Sequence, residues 1–317
     1  MRKKGQKFSS EKTVPNGFRH PTRLPDSPEQ HAKWQEANRR WWQNHPMRYD
    51  WGDKISEDEF TKEFYLEVDS RFFNDVRVFM PWDKIPFDYL IDFDLLADKD
   101  VLEIGVGNGS HAQLLAQHAR SFTGIDITEY AVKSTCMRMN CFNIHANILQ
   151  MNAESLEFAD NSFDFIWSWG VIHHSANTQK ILEEMHRVLR PGGKAITMVY
   201  YRNFWNYYII GGFFRGILQG GFFRGKSIHE MVQMHTDGAI ARYYTIPEWE
   251  SLVSDIFLID KNFVFGSKSH IVPLPPSRMK SFIMRLIPNS VSRFFTNRMK
   301  FGYFLVSGFK KQIPGVR

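Results

Sequence analysis

The chain of 317 residues is 43% apolar and 15% aromatic, with 40 Lys or Arg against 34 Asp or Glu. That apolar supply can bury a sizeable core and excludes a disordered or fibrous chain, and the length fits one elaborated domain. The two cysteines, Cys136 and Cys141, exclude a disulfide scaffold and match no metal or redox spacing. Charge is distributed unevenly: residues 1–23 carry +6 and residues 261–317 carry +11, which leaves −11 on residues 24–260. Basic ends of this kind suit nucleic acid, anionic lipid or plain solvent.

Residues 1–30 read as a basic flexible arm, with Pro15, Pro21, Pro25 and Pro28 among polar residues. The opening MRKKGQKFSS is basic with no apolar stretch behind it, so it does not read as a secretory signal, and a cytoplasmic location is expected. Residues 31–97 form a helical, aromatic cap, HAKWQEANRRWWQNHPMRYDW and then EFYLEVDSRFFNDVRVFM. Trp41, Trp42, His45, Tyr49 and Trp51 crowd together there. Most are expected in the core, with one or two facing a ligand.

From residue 98 to 201 strand and helix patterns alternate. VLEIGVGNGSHAQLL, 101–115, is a strand running into Gly105, Gly107 and Gly109 and straight on into a helix. Such a backbone lets a ligand come close where side chains would obstruct it. Ser110 stands where a dinucleotide fingerprint has its last glycine, and Glu103 lies two residues ahead of the first one. That carboxylate repels a pyrophosphate but not the sulfonium and ammonium of S-adenosylmethionine. SFTGIDIT, 121–128, ends a second strand at Asp126, placed to accept bonds from ribose hydroxyls. NILQMNAE, 147–154, is a third strand closing on Asn152, Ala153 and Glu154. SFDFIWSWGVIHHS, 162–175, is a fourth, and ILEEMHRVLRPGGKAITMVYY, 181–201, gives an amphipathic helix, a Pro-Gly-Gly turn and a fifth strand.

In this order LEIGVGNG, GIDIT, NAE, WGVIHH and RVLRPGG resemble the class I S-adenosylmethionine-dependent methyltransferases, especially the small-molecule, type 11-like branch. The resemblance covers residues 98–201. It implies an α/β fold: a doubly wound, mostly parallel, seven-stranded Rossmann-like sheet. By the same resemblance Glu103 and the loop of Gly105, Gly107, Asn108 and Gly109 hold the methionine end of the cofactor. Asp126 and Ile127 hold the ribose, Asn152, Ala153 and Glu154 frame the adenine, and Ser168 lies near the methionine amine. Relatives often carry Asp where this chain has Asn152, whose amide oxygen still meets the adenine amino group.

Residues 202–256 are expected to form a helical lid inserted after the fifth strand. The stretch RNFWNYYIIGGFFRGILQGGFFRG, 202–225, tempts a membrane-span reading. Arg215 and the pairs Gly211-Gly212 and Gly220-Gly221 keep its apolar runs far below the roughly 20 residues a span needs. Thr245, Pro247 and Glu248 then open a helix with good capping chemistry. In residues 257–317, FLIDKNFVFG and KFGYFLVSGF read as the sixth and seventh strands, an antiparallel edge hairpin. Between them PSRMKSFIMRLIPNSVSRFFTNRM interleaves Phe282, Ile283, Leu286, Ile287, Phe294 and Phe295 with Lys280, Arg285, Arg293 and Arg298. The pattern suits either an anionic bilayer surface or a cover for the sheet edge, and Pro288 splits the helix.

Methyl transfer from a sulfonium is an in-line displacement on activated carbon, driven by positioning and exclusion of water. A hydroxyl acceptor also needs a base, and His173 and His174 stand at the carboxyl edge of the sheet, one of them expected to be a packing residue. No His or Cys cluster has metal-ligand spacing, so no metal is expected. Relatives that act on base nitrogens commonly carry Asn-Pro-Pro or Asp-Pro-Pro after the fourth strand; here the residues are Ser168-Trp169-Gly170-Val171. That speaks against nucleic acid despite the isoelectric point of about 9.2. The expectation is therefore a methyltransferase for a small-molecule or lipid- or glycan-linked acceptor, at oxygen, with peripheral contact to the anionic inner face of a membrane. An RNA methyltransferase and a non-catalytic membrane-surface protein that retains the cofactor fold are the alternatives.

Overall fold

The computed structural model describes residues 18–50, 53–218, 220–272, 274 and 277–313. Trp51 and residues 1–17 of the expected arm lie outside them. Five runs rich in apolar residues pair in parallel: β1 (Asp100–Ile104), β2 (Ser121–Asp126), β3 (Asn147–Gln150), β4 (Phe163–Trp169) and β5 (Leu189–Tyr201). A two-residue strand from the lid, β6 (Tyr243–Tyr244), pairs with the end of β5, so the expected seven strands become eight. β7 (Leu258–Phe265) and β8 (Phe304–Lys310) close the sheet antiparallel, giving the order β3-β2-β1-β4-β5-β8-β7. Pro191, Gly192 and Gly193 lie within β5, where pairing with β4 shifts register, so they make an irregularity in the strand and not a turn before it.

Central strands buried on both faces need apolar side chains at successive positions. Val101, Leu102 and Ile104 of β1 meet that demand. Over one face lie α2 (Lys62–Phe79), α3 (Ser110–Ala116) and α4 (Glu129–Cys141). α5 (Thr178–Val188) and α7 (Ile246–Ser254) cover the other. In α5 the buried Ile181, Leu182, Met185 and Val188 recur at helical spacing and make one apolar stripe. α7 opens on the expected reciprocal cap: Glu248 N–H donates to Thr245 Oγ1 at 3.4 Å, and Thr245 N–H to Glu248 Oε2 at 2.8 Å.

The cap begins at α1 (Pro28–Asn44), started by Ser27. Ahead of it, where a flexible arm is expected, Phe18 and Pro21 are buried while Arg19, His20, Leu24, Asp26 and Ser27 are exposed. Phe18 is buried edge-on against Trp34 and His229, at ring distances of 5.2 and 4.7 Å. The physical reason is Arg242, a buried guanidinium that must satisfy its donors. It donates to the carbonyls of Arg23, Ser175 and Ala176, and so ties the arm to the loop after β4.

In the lid, Phe204–Leu218 is a π-helical segment, followed by α6 (Ile228–Gln233). The basic segment forms α8 (Arg278–Leu286) and α9 (Asn289–Arg293), divided at Pro288 as its fixed backbone angle predicts. Among the described residues no helix is long and apolar enough to cross a membrane.

Candidate active site

A cavity of about 740 Å³ lies at the carboxyl edge of the sheet, where open α/β folds bind ligands. The loops after β1, β2, β3 and β4 all reach it, together with α1, α2, the lid and the turn 267–270. Gly105, Gly107 and Gly109 sit at φ of +85°, +54° and +79°, the left-handed region that favours glycine. A Cβ on Gly105 would come within 2.2 Å of Val171, whereas one on Gly107 would meet open space.

Of the residues expected to hold a cofactor, Gly105, Gly107, Asn108, Asp126, Ile127, Asn152 and Ala153 line this cavity. Asp126 is already oriented: Oδ1 accepts from Thr128 N–H at 2.9 Å and its hydroxyl at 2.8 Å, and Oδ2 from Gly107 N–H at 3.3 Å. Burial nevertheless pushes its pKa up. Asn108 donates to the Met47 carbonyl at 2.7 Å and accepts from Ser134 at 2.7 Å, fastening the glycine loop between cap and α4. Asn152 Oδ1 accepts from Gln35 of α1 at 3.0 Å, so the cap closes over this part of the pocket.

Glu103, Gly109, Glu154 and Ser168 are not among the cavity-lining residues. Glu103 is buried with Oε1 3.7 Å from His111 Nδ1, and its Oε2 has no hydrogen bond among the described residues. Burial, and then the charge of Asp126, raise its pKa well above the usual carboxylate range. Gly109 backs onto Thr135 and Arg138. Glu154 accepts from His31 Nε2 at 2.5 Å, from the Ser175 hydroxyl and from Asn177 N–H at 2.8 Å, stapling α1 to the loop after β4. Ser168 donates to the Ile104 carbonyl at 3.2 Å, linking β4 to β1; strand alternation puts Trp169 on the wall in its place.

The histidine pair divides. His174 lines the cavity, and its Nδ1–H donates to the Ile240 carbonyl at 2.6 Å, which leaves Nε2 as the basic nitrogen. Trp42 stands edge-on to that ring at 5.0 Å. His173 is fully buried against Tyr200 at a ring distance of 4.0 Å and does not line the cavity. Burial drives its pKa well below the normal range.

Several wall residues escaped the sequence reading: Asp75, His111, Tyr200, Asp237, Lys268 and His270. Asp75 had a readable signal, an acid beside Phe72, Val76 and Phe79 on the apolar face of α2. Burial raises its pKa. The others sit on loops or at element ends, where periodicity says nothing. Behind the glycine loop the buried Arg138 pairs with Asp69 and donates to Gln113 at 2.8 Å and the Asn108 carbonyl at 3.2 Å. Ser110 donates to the same Asp69 at 2.6 Å.

Residues 102–197 match the family described as "Methyltransferase domain". Phthiotriol/phenolphthiotriol dimycocerosates methyltransferase 1 of Mycobacterium ulcerans is 35% identical over 100 residues, 31% of this chain and 36% of that one. A ubiquinone biosynthesis O-methyltransferase of Pseudomonas aeruginosa is 28% identical over 109 residues, 34% of this chain and 47% of that one. The chain thus matches between a third and a half of the length of these curated relatives. Among solved structures, geranyl diphosphate C-methyltransferase from Streptomyces coelicolor A3(2) superposes with a TM-score of 0.53 at 12% identity, covering 90% of this chain and 99% of that one. The [4+2]-cyclase SpnF superposes at 0.50 with 12% identity, covering 93% of this chain and 100% of that one, so the fold by itself does not name a reaction. The glycine turn, the acid closing β2 and the strand order agree with the sequence match, and residues 102–197 form a methyltransferase domain of the class I S-adenosylmethionine-dependent kind.

Proposed function

We propose that this protein transfers a methyl group from S-adenosylmethionine to an oxygen of a small or lipid-linked acceptor. The observation that carries the reading is that one cavity is lined both by the glycine loop and Asp126 and by the apolar Val76, Phe79, Met198, Met284 and Phe304. Residues that suit a donor and residues that suit an apolar acceptor in one enclosure are what in-line transfer needs. The cofactor supplies an electrophilic methyl carbon on its sulfonium. The protein supplies the rest: Gly107 and Asn108 present backbone, Asp126 presents carboxylate oxygens, and Gln35 and Trp42 close the cap over the pocket. In this reading His174, which lines the cavity, takes the proton of a hydroxyl acceptor.

The printed names of the relatives, one of a lipid methyltransferase and one of an O-methyltransferase in ubiquinone biosynthesis, support an apolar acceptor and oxygen chemistry. Peripheral contact with an anionic membrane at its cytoplasmic face belongs to the same proposal. Phe213, Ile217, Phe223, Met279, Phe282 and Leu286 are exposed on the lid and α8, with Arg278 and Arg285 beside them. The test is transfer of labelled methyl from the donor to fractions of a cell extract. Label entering the organic-soluble fraction is expected; label confined to RNA, or donor binding without any transfer, would overturn the proposal.

A further inference from the structure

Tyr200 stands near the carboxyl end of β5, paired with Tyr243 of β6 on one side and Phe304 of β8 on the other. Strand alternation sets its face: Met198 and Tyr200 line the cavity, while Val199 between them packs into the core beneath α5 and α7. The ring is held by His173 at 4.0 Å, His174 at 5.5 Å, Tyr243 and Tyr303 at 5.3 Å each and Phe304 at 6.5 Å. Two of these neighbours line the cavity themselves, the polar His174 and the apolar Phe304.

The other tyrosines of this cluster spend their hydroxyls inside the protein. Tyr243 bonds to Thr236 Oγ1 at 2.5 Å and to the Tyr303 hydroxyl, and Tyr207 bonds to His229 Nδ1 at 3.1 Å. None of those three tyrosines is a cavity-lining residue. Tyr200 differs. Among the described residues nothing hydrogen-bonds to its hydroxyl, and the oxygen is not sealed among protein atoms. Buried polar groups are normally partnered, so a hydroxyl held rigidly and left open in a ligand cavity is one whose partner a ligand supplies. Burial, and then the charge of Asp237, push its pKa well above the ordinary tyrosine range, so the group stays protonated and offers a donor.

We propose that the Tyr200 hydroxyl donates a hydrogen bond to the hydroxyl oxygen of the acceptor and so fixes that oxygen in the cavity for methyl transfer. The inference rests on the methyltransferase reading and names a residue that binds its acceptor.

Tyr200→Phe keeps the ring and removes only the oxygen. Calorimetry with 4-propylphenol and propylbenzene, each in the presence of S-adenosylhomocysteine, tests it. Tyr200→Phe should bind the phenol about fivefold more weakly than the parent does, the scale of one neutral hydrogen bond, and bind propylbenzene as before. Its melting temperature should stay within about 1 °C of the parent, because no partner in the protein is lost. Tyr207→Phe, which gives up the bond to His229, should instead melt about 2–4 °C lower and bind the phenol as the parent does. A parent that does not bind the phenol, undiminished phenol binding in Tyr200→Phe, or a fall in melting temperature as large as that of Tyr207→Phe would overturn the proposal. S-adenosylhomocysteine binding is read separately in every sample, and its absence in the parent would count against the methyl-donor reading and not against the role of Tyr200.

Discussion

Asp126 shows how a residue serves the fold and the ligand at once. Oδ1 accepts two bonds from Thr128 and Oδ2 one from Gly107, so Oδ2 keeps a lone pair for the cavity that Asp126 lines. Asp126→Ala should therefore weaken S-adenosylmethionine binding by about 2–3 kcal/mol, the scale of hydrogen bonds to a charged group. Unchanged affinity in a folded variant, by calorimetry, would place the ribose elsewhere. His174→Ala should slow turnover while donor affinity stays the same, and His173→Ala should act through stability alone, because only His174 reaches the cavity. His111 carries the pH dependence that can be worked out. Burial lowers its pKa from 6.5 to about 3, so between those values the folded state binds fewer protons than the unfolded chain. Stability must then fall as pH drops through that window, by up to about 1.4 kcal/mol per pH unit for this residue. His111→Phe, within its cluster of Phe72, Phe87 and Trp167, should flatten the acid limb of urea midpoints. An unaltered limb would mean that the ring is protonated in the folded state.

At the scale of elements, the glycine loop is held from behind. Asp69 of α2 and Arg138 of α4 meet in a buried pair that also engages Ser110 and the carbonyl of Asn108. Asp69→Ala strands a buried guanidinium, so a loss of about 3–5 kcal/mol is expected in denaturant unfolding. A loss below about 1 kcal/mol would show that water reaches Arg138. The parts of the sheet that position this loop were legible because strand period, glycine spacing and the acid at Asp126 are local signals. That Glu154 and Ser168 do not line the cavity was not legible, because a motif gives the order of residues after a strand, not which way each one faces. Ser168 and Trp169 differ by one position and face opposite ways. The tie between Arg23 and Arg242 was hidden because the two lie more than two hundred residues apart in sequence. Lys268 and His270 reach the cavity from a short turn with no readable period.

For the whole molecule, the basic C-terminal region acquires a geometry that charge counting lacked. α8 buries none of its residues, and Phe282 and Leu286 are 59% and 66% exposed. A helix that merely covered the sheet edge would bury those side chains, since apolar area removed from water is the driving force. Phe223 of the lid, 87% exposed, and Phe213 add to the apolar surface. Met284, on the same α8, lines the cavity, so this helix carries both cavity wall and exposed apolar surface. The proposed contact combines apolar insertion with attraction of each nearby Lys or Arg to anionic lipid, worth about 1 kcal/mol apiece. The protein should sediment with anionic vesicles at low salt, less with neutral vesicles, and less again as salt screens the charges. Phe282→Ser with Leu286→Ser should abolish sedimentation while leaving S-adenosylmethionine binding intact, because neither side chain lines the cavity. Binding that is absent, or equal for neutral and anionic vesicles, would return α8 to an ordinary solvated helix and leave the acceptor to arrive from solution.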